Sequence, residues 1–269
     1  MNRIDLTFER LRKEGKKAYI PYVTAGDPDM AVSEKIIRSL ALSGADIIEI
    51  GIPFSDPIAD GPTIQRAVTR SLSGGCTVKK VMFMARRLRK SILAPFVFMT
   101  YYNIIFNHGV EKFVKDSIAN GVDGVIVPDL PLEESKELAD ISRKAGFSLV
   151  ALAAPTTSPE RFKKISSMAG GFIYYVSLTG VTGAKAAEAA EIGRKVRGLK
   201  KVTDKPVCVG FGVSGPALAR EIAASADGVI VGSALIKLIE KDPDNKGRMP
   251  REIEMFSRSI AEAVHSVRK

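Results

Sequence analysis

One rhythm constrains this chain more than any other feature. Short apolar runs rich in β-branched residues alternate with longer stretches of helical spacing, eight times over. The runs are 18–26, 45–52, 95–102, 123–129, 148–155, 172–177, 206–212 and 227–233. They lead into amphipathic segments such as MAVSEKIIRSLALSG (30–44) and LEESKELADISRKAG (132–146). Continuous apolar strands belong to a parallel sheet covered on both faces. Eight such units in 269 residues predict an α/β fold, a (β/α)8 TIM barrel forming a single domain over 1–269, with an additional N-terminal helix. The alternative is an open doubly wound sheet, but no GxGxxG follows the first strand and eight units is many for that fold.

Composition narrows the function classes. No apolar run reaches the ~18 residues a membrane-spanning helix needs, and the charged start MNRIDLTFERLRKEGKK has no apolar core of a secretory signal. Cys76 and Cys208 form neither a disulfide framework nor a zinc spacing, and His108 and His265 are the only histidines. A reduced, cytoplasmic protein without a metal site is expected. The net charge of +10 is spread over RLRKEGKK, RRLRK, RKVRGLKK and the C-terminal SVRK, mostly on helices with acids nearby. Solvated helix faces are expected, and no nucleic-acid or membrane surface.

A barrel carries its active site on the loops at the strand C-terminal ends. Three glycine-containing loops fall there in the last third of the chain: SLTGVTGAK (177–185), GFGVSG (210–215) and VGSA (231–234). Glycines let the backbone approach an anion, and helix N-termini offer free N–H groups. A phosphate site is expected from Gly183, Ala184, Phe211, Gly212, Ser214, Gly232 and Ser233. The two serines are equally suited to capping the helices that follow.

The stretch IEIGIPFSDPIADGP (48–62) holds three carboxylates. Alternation along the second strand puts Ile47, Glu49 and Gly51 on one face and Ile48 and Ile50 on the other. The apolar pair suits the helix layer, so Glu49 points into the barrel. A carboxylate there needs a distant basic partner or a raised pKa, the latter suiting proton transfer. Asp60 ends the following loop and is expected to reach the site; helix capping is its alternative. Asp56 is read as a loop-ordering or interface residue. Tyr101, Tyr102 and Asn103 end the third run and Asp129 the fourth. Only one of Tyr174 and Tyr175 can face the pocket, where aromatic side chains would either line a flat substrate or simply pack the core.

IEIGIPFSDPIADGPTIQ, with PYVTAGDPD, VPDLPLEES, GVTG and GFGVS in order, resembles the tryptophan synthase alpha subunit family across essentially the whole chain. The resemblance implies a lyase of tryptophan biosynthesis that cleaves indole-3-glycerol phosphate to indole and glyceraldehyde 3-phosphate. It implies no cofactor in this chain. The partner would be a beta subunit carrying pyridoxal phosphate, in an assembly of two alpha and two beta chains. Glu49 would be the acid/base that protonates indole C3 and takes the glycerol hydroxyl proton, and Asp60 the carboxylate on the indole N–H. Thr182 would support the Asp60 loop, Tyr174 would line the pocket, and Asp56 would lie at the subunit contact; Tyr101 is expected among the substrate-binding residues from its place at the end of the third run. One departure is Ser177-Leu178-Thr179, where some family members carry an arginine. A free-standing lyase and a non-catalytic phosphate-binding scaffold are the competing functional readings.

Overall fold

In the computed structural model, which describes residues 2–176, 185–210 and 212–268 (without the side chains of 185–189), the eight apolar runs become eight parallel strands. They are β1 (Ala18–Thr24), β2 (Ile48–Gly51), β3 (Phe96–Met99), β4 (Gly124–Ile126), β5 (Ser148–Ala153), β6 (Ile173–Val176), β7 (Val207–Gly210) and β8 (Gly228–Val231). Each pairs with the next, and β8 closes on β1 through Ala18↔Gly228 to Pro21↔Val231. The (β/α)8 barrel expected from the alternation is the observed fold.

Alternation sorts the strand side chains into two layers. Ile20, Ile47, Val97, Ile126, Val150, Cys208 and Ile230 fill the barrel interior. The neighbouring positions, such as Ile48, Ile50, Phe96 and Phe98, join the larger core under the helices. That shell comprises α2 (Met30–Leu42), α3 (Pro62–Ser73), α4 (Val78–Arg89), α5 (Tyr102–His108), α6 (Val110–Ala119), α7 (Lys136–Ala145), α8 (Pro159–Met168), α9 (Lys185–Leu199), α10 (Pro216–Ala223), α11 (Ser233–Lys241) and α12 (Met249–His265). Surface arginines and lysines pair along these helices, as in Arg38–Glu34–Arg87 and Arg258–Glu254, consistent with solvated faces.

The bottom of the barrel is sealed by α1 (Arg3–Lys13), whose Ile4, Phe8 and Leu11 pack against the interior cluster. Asn2 caps it by accepting from the Ile4 N–H at 2.9 Å, and its amide donates to the carbonyls of Asp123 and Gly146. Three aspartates stitch the strand starts together. Asp46 accepts from the N–H of Tyr19, Asp123 from that of Phe96 and Asp227 from that of Val207. Each sits just before one strand and anchors the preceding neighbour. Asp46 also accepts from Arg10 and pairs with His265, tying α1 to α12.

The strands are shorter than the apolar runs. β3 stops at Met99, and Tyr102 opens α5, so Tyr101, Tyr102 and Asn103 do not end a strand. Tyr101 is the extended residue before that helix, and the Tyr102 N–H is held by the Asp129 carboxylate at 2.9 Å.

Candidate active site

Glu49 stands in β2 opposite Tyr22 of β1 and Val97 of β3, on the inward-facing register. It is 1% exposed, and neither carboxylate oxygen has a hydrogen-bond partner among the described residues. Burial, and secondarily the Asp60 charge, push its pKa up to about 8. The side chain is therefore neutral at pH 7, the state in which it can donate a proton. The salt-bridge alternative finds no partner among the described residues.

Asp60 reaches the same cavity from the loop after β2. The Tyr101 hydroxyl donates to Asp60 Oδ2 at 3.1 Å and accepts from the Ala59 N–H at 3.0 Å, so one tyrosine holds both the loop backbone and the carboxylate. The Gln65 amide donates to the Asp60 carbonyl at 2.9 Å. Burial raises the Asp60 pKa and the Tyr101 bond opposes that rise. Helix capping is not its role: Gly61 occupies the N-cap of α3 and no side chain caps it.

Two inward tyrosines flank Glu49, and glycines make room for them. A Cβ at Gly210 would lie 2.5 Å from the Tyr174 hydroxyl, and one at Gly51 would collide with the Tyr22 ring. Burial, reinforced by the neighbouring carboxylates, drives both phenol pKa values far up, so both rings stay neutral. Together with Met99 and Leu152 they form an apolar slot beside the two carboxyls, in a cavity of about 890 Å³.

The far end of that cavity is made of backbone. Gly210 at the end of β7, Gly212 and Val213 after it, and Gly232 and Ser233 after β8 line it. Gly212 has φ +26, a conformation that favours glycine, and Gly232 is the N-cap of α11. Neither serine caps a helix: Gly215 and Gly232 hold the N-cap positions without a side-chain bond. The nine-residue α11 starts at the cavity, with its N-cap Gly232 and its first residue Ser233 in the lining.

The tryptophan synthase alpha chain family profile matches residues 8–265. The tryptophan synthase alpha chain of Caldanaerobacter subterraneus is 46% identical over 264 residues, 98% of this chain and 100% of that one. The Geotalea daltonii alpha chain is 48% identical, over 90% of this chain and 91% of its own length. Among solved structures, tryptophan synthase subunit alpha from Legionella pneumophila superposes with a TM-score of 0.92 at 38% identity, covering 99% of this chain and 100% of that one. A chain of tryptophan synthase from M. tuberculosis gives 0.86 at 34% identity, covering 98% and 99%. The chain belongs to the tryptophan synthase alpha chain family.

Of the residues singled out by sequence in this chain, the structure brings Glu49, Asp60, Tyr174, Gly212, Gly232 and Ser233 to one cavity. Tyr101 does not line it but holds Asp60. Ser214 is exposed and outside the lining. Asp56 is exposed on the loop, accepting from the Ser55 hydroxyl at 2.5 Å. Thr182, Gly183, Ala184 and Phe211 lie outside the described residues. Tyr22 was missed by sequence reasoning, although the alternation that turned Glu49 inward applies equally to β1. No cluster that could hold a metal ion occurs among the described residues.

Proposed function

We propose that this family member is the lyase subunit that cleaves indole-3-glycerol phosphate to indole and glyceraldehyde 3-phosphate in tryptophan biosynthesis. The observation that carries the assignment of roles is the buried, unpartnered Glu49 in its neutral form beside Asp60. Glu49 delivers its proton to indole C3. The resulting indolenine carries positive charge at its N–H, which Asp60 accepts as a hydrogen bond and stabilises electrostatically. Loss of the adjacent glycerol hydroxyl proton to the Glu49 carboxylate, with breakage of the C–C bond, leaves an aldehyde and returns the electron pair to the ring. One proton enters and one leaves, so Glu49 ends as it began. The indole ring fits among Tyr22, Met99, Leu152 and Tyr174, and the phosphate among the N–H groups at Gly212, Gly232 and Ser233.

This chain needs no cofactor for that step; pyridoxal phosphate belongs to the beta subunit. The chain acts as one domain over 1–269, in the cytoplasm, within an assembly of two alpha and two beta chains. Support for docking comes from apolar side chains left in solvent, Ile58 at 83% exposure on the Asp56 loop, where it lines the cavity, and Phe106 at 65% on α5. No helix among the described residues is long and apolar enough to cross a membrane.

The deciding experiment is an indole-production assay on the purified chain, with and without a beta chain. Indole release that rises when beta is added is the expected result. Full release without beta would refute the complex, and no release in either case would refute the lyase reading.

A further inference from the structure

The cavity does not stop at the barrel wall. Val150 and Leu152 face inward from β5, yet the same cavity is lined by Leu149, Ala151 and Ala153, which alternate with them and face the helix layer. A cavity that touches both faces of one strand folds over the strand end. It therefore has an inner lobe, holding Glu49 and Asp60, and an outer lobe between β5 and the helices α7 and α8. The sequence shows why the gap opens here. Other strands carry bulky outward pairs, such as Ile48 and Ile50, Phe96 and Phe98, or Val207 and Val209. β5 presents two alanines, and Ala151 is left half-buried in mid-strand. Both helices pack on β5, but α7 begins only at Lys136, after turns at 132–135.

The outer lobe is finished chemically as well as sterically. Ile165 and Met168 of α8 form its wall opposite the alanines. Ser135 lines it, is 3% exposed, and sits at the N-cap of α7 without capping any N–H. Its hydroxyl donates to the Leu132 carbonyl at 2.7 Å and lies 3.3 Å from Met168 Sδ. A hydroxyl has one donor and two acceptor lone pairs, so its accepting capacity is unused among the described residues. Arg161 and Glu133 form a two-bond ion pair at 2.7 and 3.0 Å that straps α8 to the loop before α7 at the outer rim.

We propose that this outer lobe binds a second small, neutral, planar heteroaromatic molecule with one N–H donor, the class to which indole belongs. The ring lies flat between the β5 alanines and Met168, whose sulfur favours an aromatic partner. Its N–H donates to Ser135 Oγ. The lobe is continuous with the inner one, so released indole has a dry place to move aside without crossing solvent. That last role rests on the lyase reading; the binding itself does not.

The test is a fluoroindole titration of the full chain followed by fluorine NMR, alone and with saturating indole-3-propanol phosphate, a substrate analogue that cannot be cleaved. Two bound equivalents are expected without the analogue and one with it. Ala151→Phe, which fills the outer lobe, is expected to weaken the analogue-resistant equivalent by about tenfold or more, while turnover of indole-3-glycerol phosphate persists. Ser135→Ala keeps the volume and removes the acceptor. It gives an independent loss of several-fold if the larger variant fails to fold. Displacement of all fluoroindole by the analogue, or unchanged binding in both variants, overturns the proposal. If the analogue displaces nothing and Ala151→Phe still loses one equivalent, the inner-lobe assignment fails and the outer site stands.

Discussion

Glu49 concentrates the chemistry of the molecule in one side chain. Its replacement by Gln removes the transferable proton and keeps the shape. Indole release is expected to fall by about two to four orders of magnitude with little change in the affinity for a phosphate-bearing analogue, measured by steady-state assay and calorimetry. In the wild type, kcat/KM is expected to decline as pH rises through about 8, where Glu49 loses its proton. Stability falls with rising pH through the same group, over a window that begins lower. The unfolded chain releases this proton near pH 4.5, the folded protein only near 8. Across that window the folded state holds a proton the unfolded chain has lost, so folding weakens as pH rises, and the full cost stands above about 8. Glu49→Gln should thus be more stable than wild type by an amount that grows from pH 5 to pH 8, reaching on the order of a few kcal/mol. Urea unfolding at several pH values checks it, and a constant difference would refute the buried acid. Tyr101→Phe removes the hydroxyl that holds both Asp60 and Ala59. A bond to a charged group is worth about 1.5–3 kcal/mol, so a loss of about tenfold to hundredfold in kcat/KM is expected, with a loss of no more than that size in thermal unfolding.

At the scale of elements, α3 carries the Asp60 loop at its start and is tied to the rest of the barrel mouth by ions. Arg70 donates twice to the buried Asp27 at 2.7 and 2.9 Å, while Arg66, in solvent, pairs with Glu240 of α11. Breaking a buried pair leaves an uncompensated charge, so Arg70→Ala is expected to cost about 3–5 kcal/mol in denaturant unfolding. Arg66→Ala should cost much less, because water screens its pair. The helices and strands were legible because their periodicities are strong, and Glu49 was legible because one polar residue broke an apolar run. The short helix α5 was not. Its sequence YNIIFNH continues the apolar run of β3 and offers no capping side chain. The serines after β7 and β8 also suited helix capping, but glycine backbone holds those N-cap positions, and Ser233 lines the cavity. The tyrosine hydroxyl on Asp60 was hidden for another reason. A contact 41 residues away leaves no local trace, and an aromatic at that position reads as wall or core.

The whole molecule is a ring of strands with a stopper at one end and chemistry at the other. The three aspartates and α1 lie at the strand starts, remote from the cavity, so changes there are expected to act on stability and not on turnover. Phe8 of the stopper lies 5.7 Å from Phe172, the two rings tilted by 53°. Phe8→Ala should cost about 3–5 kcal/mol in unfolding experiments while kcat of the surviving folded protein stays unchanged. Ring closure has a further consequence, for the order in which the chain can be built. β1 finds its second neighbour only in β8, and Lys17 beside it bonds to the Ala226 carbonyl 209 residues later. A ribosome finishes nearly the entire polypeptide before that seam can form. Until then the first strand waits with one open edge, a template for pairing with other nascent chains.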